Sequence, residues 1–354
     1  MDIPARARGS SGHATIFGMT RLCTVLLALA AAASLPAARN LEIFSIDVEG
    51  GQATLFLTPA GESMLIDTGW STPNHRDAER IVTAAKAAGV HKIDYLVITH
   101  YHADHVGGVQ DLAKRMPIVH FVDHGPQTET GKPAEILFNE YSAFRDKGQH
   151  ILAKPGDTIP IKGLDVKVLS AAGQVISAPL EGAGQPNPAC DGAVRPPADT
   201  TENGQSVGLL ITYGQFRMLD LGDLTKDHEY DLVCPVNKIG LIDLYLVSHH
   251  GMPMSGSKVF VEGIDPHVAL MNNGPRKGGD AATWQTIRDT RNLLDIWQLH
   301  YTMTADKQHN AADTFIANID EKCEARWIKV TAEKDGTFIV QNSRNKYQKT
   351  YIKK

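Results

Sequence analysis

The sequence predicts an α/β fold in which sheets are covered by helices, and three observations carry that prediction. Short apolar runs of extended type alternate with stretches of helical spacing. Metal-capable side chains stand where several of the extended runs stop. A chain of 354 residues, 42% hydrophobic and 21% charged, has the material for one large core or two, which excludes a disordered or fibrous protein.

Taken in order, Leu41 to Asp47, Ala53 to Leu57 and Ser63 to Asp67 are short apolar runs separated by Gly50-Gly51 and Pro59-Ala60-Gly61, the pattern of a three-stranded meander. Arg76 to Ala88 places Ala78, Ile81, Val82, Ala85 and Ala88 at helical spacing and stops at Gly89. Tyr95 to Thr99 reads as a strand, Val109 to Met116 as a helix, Ile118 to Asp123 as a strand and Pro133 to Arg145 as a helix. Leu164 to Leu169 is extended again. From Ala171 to Ala198 Gly, Pro and Ala dominate without a period, the composition of an inserted loop; such loops often shape a substrate entrance. Ser206 to Tyr213 and Phe216 to Leu221 form a hairpin around Gly214-Gln215. Leu241 to Val247 and Val268 to Asn272 are strands, a helix lies near Ala282 to Arg291, Asp295 to Leu299 is a strand, and a terminal hairpin turns at Asp335-Gly336.

The run Tyr95 to Thr99 opens into His100-Tyr101-His102-Ala103-Asp104-His105, followed by Gly107-Gly108. Four metal-capable side chains within six residues is a density that polar loops rarely reach without a metal. In extended backbone His100 and His102 project the same way, and the next turn carries Asp104 and His105 to a neighbouring point. The segment therefore offers two adjacent cation sites. Other strand ends supply Asp67 ahead of Gly69, Asp223 after Gly222, and His249-His250 ahead of Gly251.

In order and approximate separation, these motifs resemble those of the metallo-β-lactamase superfamily, over roughly Leu41 to Val340. The resemblance implies an αββα sandwich, two mixed sheets flanked by helices, with metals at one edge. It implies that His100 and His102 hold one divalent ion, that Asp104 and His105 hold a second, and that Asp223 bridges them. One of His249 and His250 completes the second site; His250 is preferred as the ligand, with His249 orienting a ligand or touching substrate, and the reverse assignment stays open. The family usually places a further histidine some two dozen residues before the bridging aspartate. Here Gln205 stands there, so occupancy of the first metal turns on this departure, and Gln205 becomes a candidate substrate contact. Within the superfamily Asp47-Val48-Glu49-Gly50-Gly51-Gln52-Ala53, Glu202 to Ser206 and His249-His250-Gly251 look like the competence-protein (ComEC-like) branch. Gln52 replaces that branch's carboxylate, which counts against nuclease activity.

The chemistry implied is hydrolysis, because paired divalent ions lower the pKa of a shared water and stabilise charge on the attacked oxygen. Asp104 and Asp67 are the expected catalytic carboxylates, Asp67 orienting a histidine or accepting the water's proton. Asn273 and His300 are candidate substrate contacts, with turn chemistry and half-burial in a strand as their plain alternatives. His120, His124 and His150 are weaker substitutes for the missing ligand. Nitrogen and oxygen ligands suit zinc first, with manganese or iron possible. A phosphodiester in a small-molecule substrate is the expected target. A lactone, β-lactam or other carboxyl ester or amide is the alternative, and a non-catalytic metal-binding protein the third reading.

Residues 1–38 read as a secretory signal peptide: Arg21 flanks an apolar run from Leu22 to Leu35, and small residues between Ala33 and Asn40 suit cleavage. Residues 39–354 would then be a periplasmic or secreted domain with no stable membrane anchor. Removing the leader, with Arg6, Arg8 and Arg21 against Asp2, takes the formal charge from −5 to about −7, so strong nucleic-acid affinity is not expected. It also leaves Cys190, Cys234 and Cys323, enough for at most one disulfide and a free thiol, with no pair at a metal-binding spacing.

Overall fold

The computed structural model describes residues 39–353, so the expected leader lies outside the described residues. Two sheets form where the apolar runs were read. In the first, the order is Gln348–Tyr351, Phe338–Asn342, Ile328–Ala332, Leu41–Ser45, Thr54–Leu57, Ser63–Ile66, Ile93–Val97, Ile118–Asp123 and Gln149–Leu152. The meander at its centre is antiparallel, pairing Phe44 with Leu55 and Leu55 with Leu65, and the sheet turns parallel at Ser63–Ile66 beside Ile93–Val97. In the second sheet Thr158–Ile159, Asp165–Ala171, Gly208–Tyr213 and Phe216–Asp220 are antiparallel. Leu244–Leu246, Val268–Met271, Asp295–His300 and Ile316–Asn318 then continue in parallel.

Strands that are apolar on both faces need cover on both, and side chains alternating with period two deliver it. Met64, Ile66, Tyr95, Val97, Leu209, Ile211, Leu244 and Leu246 enter one core between the sheets, with Phe56, Phe216 and Trp297. The intervening Leu65 and Leu96 face a second cluster with Ile81, Ala85, Leu112 and Tyr141 from helices. Leu210 and Tyr245 face a third with Leu232, Phe260 and Ile287. Helices Arg76–Ala87 and Lys132–Arg145 cover one side, while Lys226–Val233, Lys258–Ile264 and Ala281–Arg288 cover the other. The result is the αββα sandwich.

Several boundaries differ from expectation. The strand feeding the histidines is Ile93–Val97, and the helix after the motif splits into Ala103–Val106 and Val109–Ala113. Two helices were not expected. Lys226–Val233 is polar over most of its length, and Lys258–Ile264 has a Val-Phe-Val start that reads as extended. Its N-cap decides the matter, because Ser257 Oγ accepts from the Phe260 amide at 3.3 Å. The stretch Ala171 to Ala198 is mostly loop. It carries the two-residue strands Gln174–Val175 and Gln185–Pro186 and is tied down by a Cys190–Cys234 disulfide, leaving Cys323 free. No helix among the described residues is long and apolar enough to cross a membrane.

Candidate metal centre

Every motif residue leaves the C-terminal end of a parallel strand or the turn just beyond it, where open α/β sheets gather ligands. Asp67 follows Ser63–Ile66, His100 follows Ile93–Val97, Asp223 follows Phe216–Asp220, and His249-His250 follow Leu244–Leu246. Two glycines permit the convergence. A Cβ on Gly108 would strike the Thr68 carbonyl, and the loop is held there by the Thr68 amide on the His105 carbonyl at 2.7 Å. Gly222 has φ +56° and abuts the Thr99 side chain, carrying Asp223 from the second sheet against the first.

The tighter half of the centre holds Asp104, His105, Asp223 and His250, all buried, with one donor atom from each lying within 4.8 Å of the others. His105 Nε2 stands 3.2 Å from Asp104 Oδ2, 3.3 Å from Asp223 Oδ1 and 3.1 Å from His250 Nε2. His250 Nε2 is 3.1 Å from Asp104 Oδ2 and 3.4 Å from Asp223 Oδ1. Donors held at about 2.1 Å around a tetrahedral ion sit roughly 3.4 Å apart, so these spacings suit a cation.

The protonation pattern agrees. Asp67 Oδ2 accepts from His105 Nδ1 at 2.7 Å, which aims Nε2 inward, and Asp223 Oδ1 has no hydrogen-bond partner although it is buried. Burial opposes charge on His105, yet Asp223, Asp104 and Asp67 outweigh it and hold the imidazole well above its usual range. Burial likewise raises Asp104 and Asp223, but the facing histidines drive both well below the usual carboxylate range. The pocket calls for positive charge.

The other half is looser. His100 Nε2 lies 3.0 Å from His102 Nδ1 and 3.8 Å from Asp223 Oδ2, and His249 Nε2 lies 3.2 Å from the same oxygen. The two oxygens of Asp223 thus face different sets of imidazoles. Burial holds His100 well below the usual imidazole range and pulls His249 down to about 4, so both are neutral and able to ligate. Glu129 Oε1 meets His102 Nε2 at 3.1 Å and fixes that ring.

His249 and His250 have φ of +55° and +56°, and Gly251 follows at +82°. Two successive non-glycine residues in the left-handed region cost about 1–2 kcal/mol each. Backbone bonds hold them there: the His249 amide donates to the Gly222 carbonyl at 2.9 Å, and the Gly279 amide to the His250 carbonyl at 2.9 Å. Strain of this kind persists where the surroundings impose it, commonly at sites of function.

Other expected site residues have different work. Asp67 accepts from the Thr99 amide at 2.8 Å, the Thr99 hydroxyl at 2.7 Å and His105, so both oxygens are engaged in orienting the loop and the ring. Gln205 donates to the Thr201 carbonyl at 3.2 Å and rests against Gly173 instead of joining the imidazoles. Asn273 is buried and bound to the His300 carbonyl and the Thr302 hydroxyl, each at 2.8 Å. His300 is buried against Asp47 at 2.6 Å. Both side chains are fully buried and bonded within the loops around them instead of being presented at the surface. His120, His124 and His150 are bonded to the Asp94 carbonyl, Glu202 and Asp123, and none joins the centre.

Sequence reasoning missed Lys277, whose ammonium contacts Asp104 Oδ2 and lies 5.0 Å from the Trp70 ring centre. It sits in a Gly/Pro turn with no motif to mark it. Gln52 was noted only as a departure. Its amide donates to both oxygens of Asp220, at 3.1 and 2.9 Å, and burial pushes that carboxyl up to about 7.

Residues 47–192 match the family model of the metallo-beta-lactamase superfamily. Among relatives, it is 25% identical over 247 residues to ComE operon protein 3 of Bacillus subtilis, covering 66% of this chain and 28% of that protein. It is 34% identical over 98 residues to hydroxyacylglutathione hydrolase of Yersinia pestis, covering 27% of this chain and 35% of the relative. The chain thus spans well under half the length of either. A solved structure, the diiron β-hydroxylase CmlA of Streptomyces venezuelae, is similar with a TM-score of 0.39 and 13% identity over 72% of this chain and 47% of its own.

Proposed function

We propose that the protein is an exported hydrolase that uses two divalent ions, zinc by default, to cleave a phosphodiester in a small, anionic substrate. The observation that carries this is a single buried carboxylate, Asp223, with imidazoles ranged on both of its oxygens. When bound, paired ions supply Lewis acidity and ionise a water near neutral pH. The chain's own part is to hold the donors. Asp67 keeps His105 in the tautomer that presents Nε2, Glu129 accepts from Nε2 of His102 so that this ring presents Nδ1, and Asp223 balances charge between the two halves. Lys277, at the partly exposed side next to Asp104, is placed to take up an anionic group of substrate. Its cation favours a phosphate over a neutral ester.

Export is supported by the apolar leader and by the Cys190–Cys234 bridge, since disulfides persist in oxidising compartments. A carboxyl-ester or thioester substrate is the second reading, favoured by the likeness to hydroxyacylglutathione hydrolase. The test is turnover by zinc- or manganese-loaded protein of bis-p-nitrophenyl phosphate beside nitrocefin, homoserine lactones and S-acylglutathione. Release of nitrophenol is the expected result. Silence on the phosphodiester with turnover of an ester, thioester or lactam transfers the assignment to the second reading.

A further inference from the structure

We propose that His249 is the third imidazole of the first metal site, replacing the ligand whose place in the sequence is held by Gln205, so that the adjacent residues His249 and His250 serve different ions. The inference rests on the paired-ion reading above and goes beyond it by naming how the incomplete half is completed.

Three observations converge. First, His249 Nε2 and His100 Nε2 approach the same oxygen of Asp223, Oδ2, at 3.2 and 3.8 Å, while His250 and His105 approach Oδ1. The neighbouring histidines therefore address opposite sides of the bridging carboxylate. Second, the tautomer of His249 is set. The Ser255 hydroxyl donates its one proton to the Leu224 carbonyl at 2.7 Å, so towards His249 Nδ1, 3.3 Å away, it can only accept. Nδ1 then carries the ring proton and Nε2 faces Asp223 with a lone pair. Two lone pairs turned towards each other are repulsive until a cation joins them. Third, the double left-handed backbone is what splits the two rings between the halves; their planes stand 77° apart. Gln205, by contrast, is tied to Thr201.

The experiment is metal binding by the purified full-length chain, stripped with chelator and titrated with zinc under equilibrium dialysis, with elemental analysis. Wild type is expected to hold two ions. His249→Asn, an exchange that tolerates the positive φ, is expected to hold one, with its remaining affinity unchanged, while Gln205→Ala keeps both. Ser255→Ala leaves every donor in place and frees the ring; it is expected to weaken only the first site, by about 10- to 100-fold. This variant decides the matter if His249→Asn does not fold. Two ions bound at wild-type affinity in both variants would overturn the proposal, even with turnover lost, and would make His249 a substrate contact. So would loss of an ion through Glu202→Gln or Gln205→Ala with His249→Asn intact. Fewer than two ions on wild type overturns it as well, whereas two ions without hydrolysis of any substrate sinks only the functional reading.

Discussion

Replacing Asp67 by Asn isolates the hydrogen bond that aims His105. The carboxylate accepts three times: from His105 Nδ1 and the Thr99 hydroxyl on Oδ2, both at 2.7 Å, and from the Thr99 amide on Oδ1 at 2.8 Å. An amide has one accepting oxygen, so in either orientation its NH2 meets a donor. If that donor is Nδ1, His105 loses its acceptor and its Nε2 lone pair is no longer enforced. A lost charge-assisted bond in a buried site costs about 1.5–3 kcal/mol. At 1.4 kcal/mol per decade this is roughly a 10- to 100-fold loss of metal affinity, the range measured for partners that orient metal-binding histidines. Asp67 has φ +59°, which Asn tolerates, so the fold should survive. The assay is competition for zinc against a chromophoric chelator at neutral pH, with thermal melting as the check on folding. A folded variant that binds zinc within twofold of wild type would refute the argument that Asp67 works through His105.

Other outcomes follow from the same geometry. Lys277→Ala should raise KM for an anionic phosphodiester by about 10-fold, with little effect on a neutral ester; equal effects on both would remove Lys277 from substrate binding. Chelation should lower Tm and zinc should restore it, since free ion at 100 times Kd stabilises by about 2.7 kcal/mol; a melt indifferent to metal counts against the ligand set. The Cys190→Ser, Cys234→Ser double variant should unfold at lower urea. The bridge closes a span of 44 residues, for which chain entropy suggests about 4 kcal/mol, and an unchanged midpoint would show that the link does not constrain the unfolded chain.

Much of the fold was legible because periodicity is a local property. The meander, Arg76–Ala87 and the hairpin at Gly214-Gln215 are each written in residues a few positions apart, and the structure keeps them within a few residues of their expected bounds. Elements that lean on distant partners escaped. Gln149–Leu152 is mostly exposed and exists because it pairs with Ile118–Asp123, and the mainly polar Lys226–Val233 folds against the second sheet through a few apolar contacts.

The candidate ligand types and their order were likewise in the sequence: histidines and carboxylates at strand ends. Tertiary structure decided which atom faces which. The sides of Asp223 taken by His249 and His250, the place of Lys277 beside Asp104, and the withdrawal of Gln205, Asn273 and His300 into networks of their own all depend on how two sheets close on each other. The reason is range. Spacing along a strand fixes where a side chain points relative to its neighbours, whereas meeting a residue more than a hundred positions away requires the register and packing of the whole sandwich.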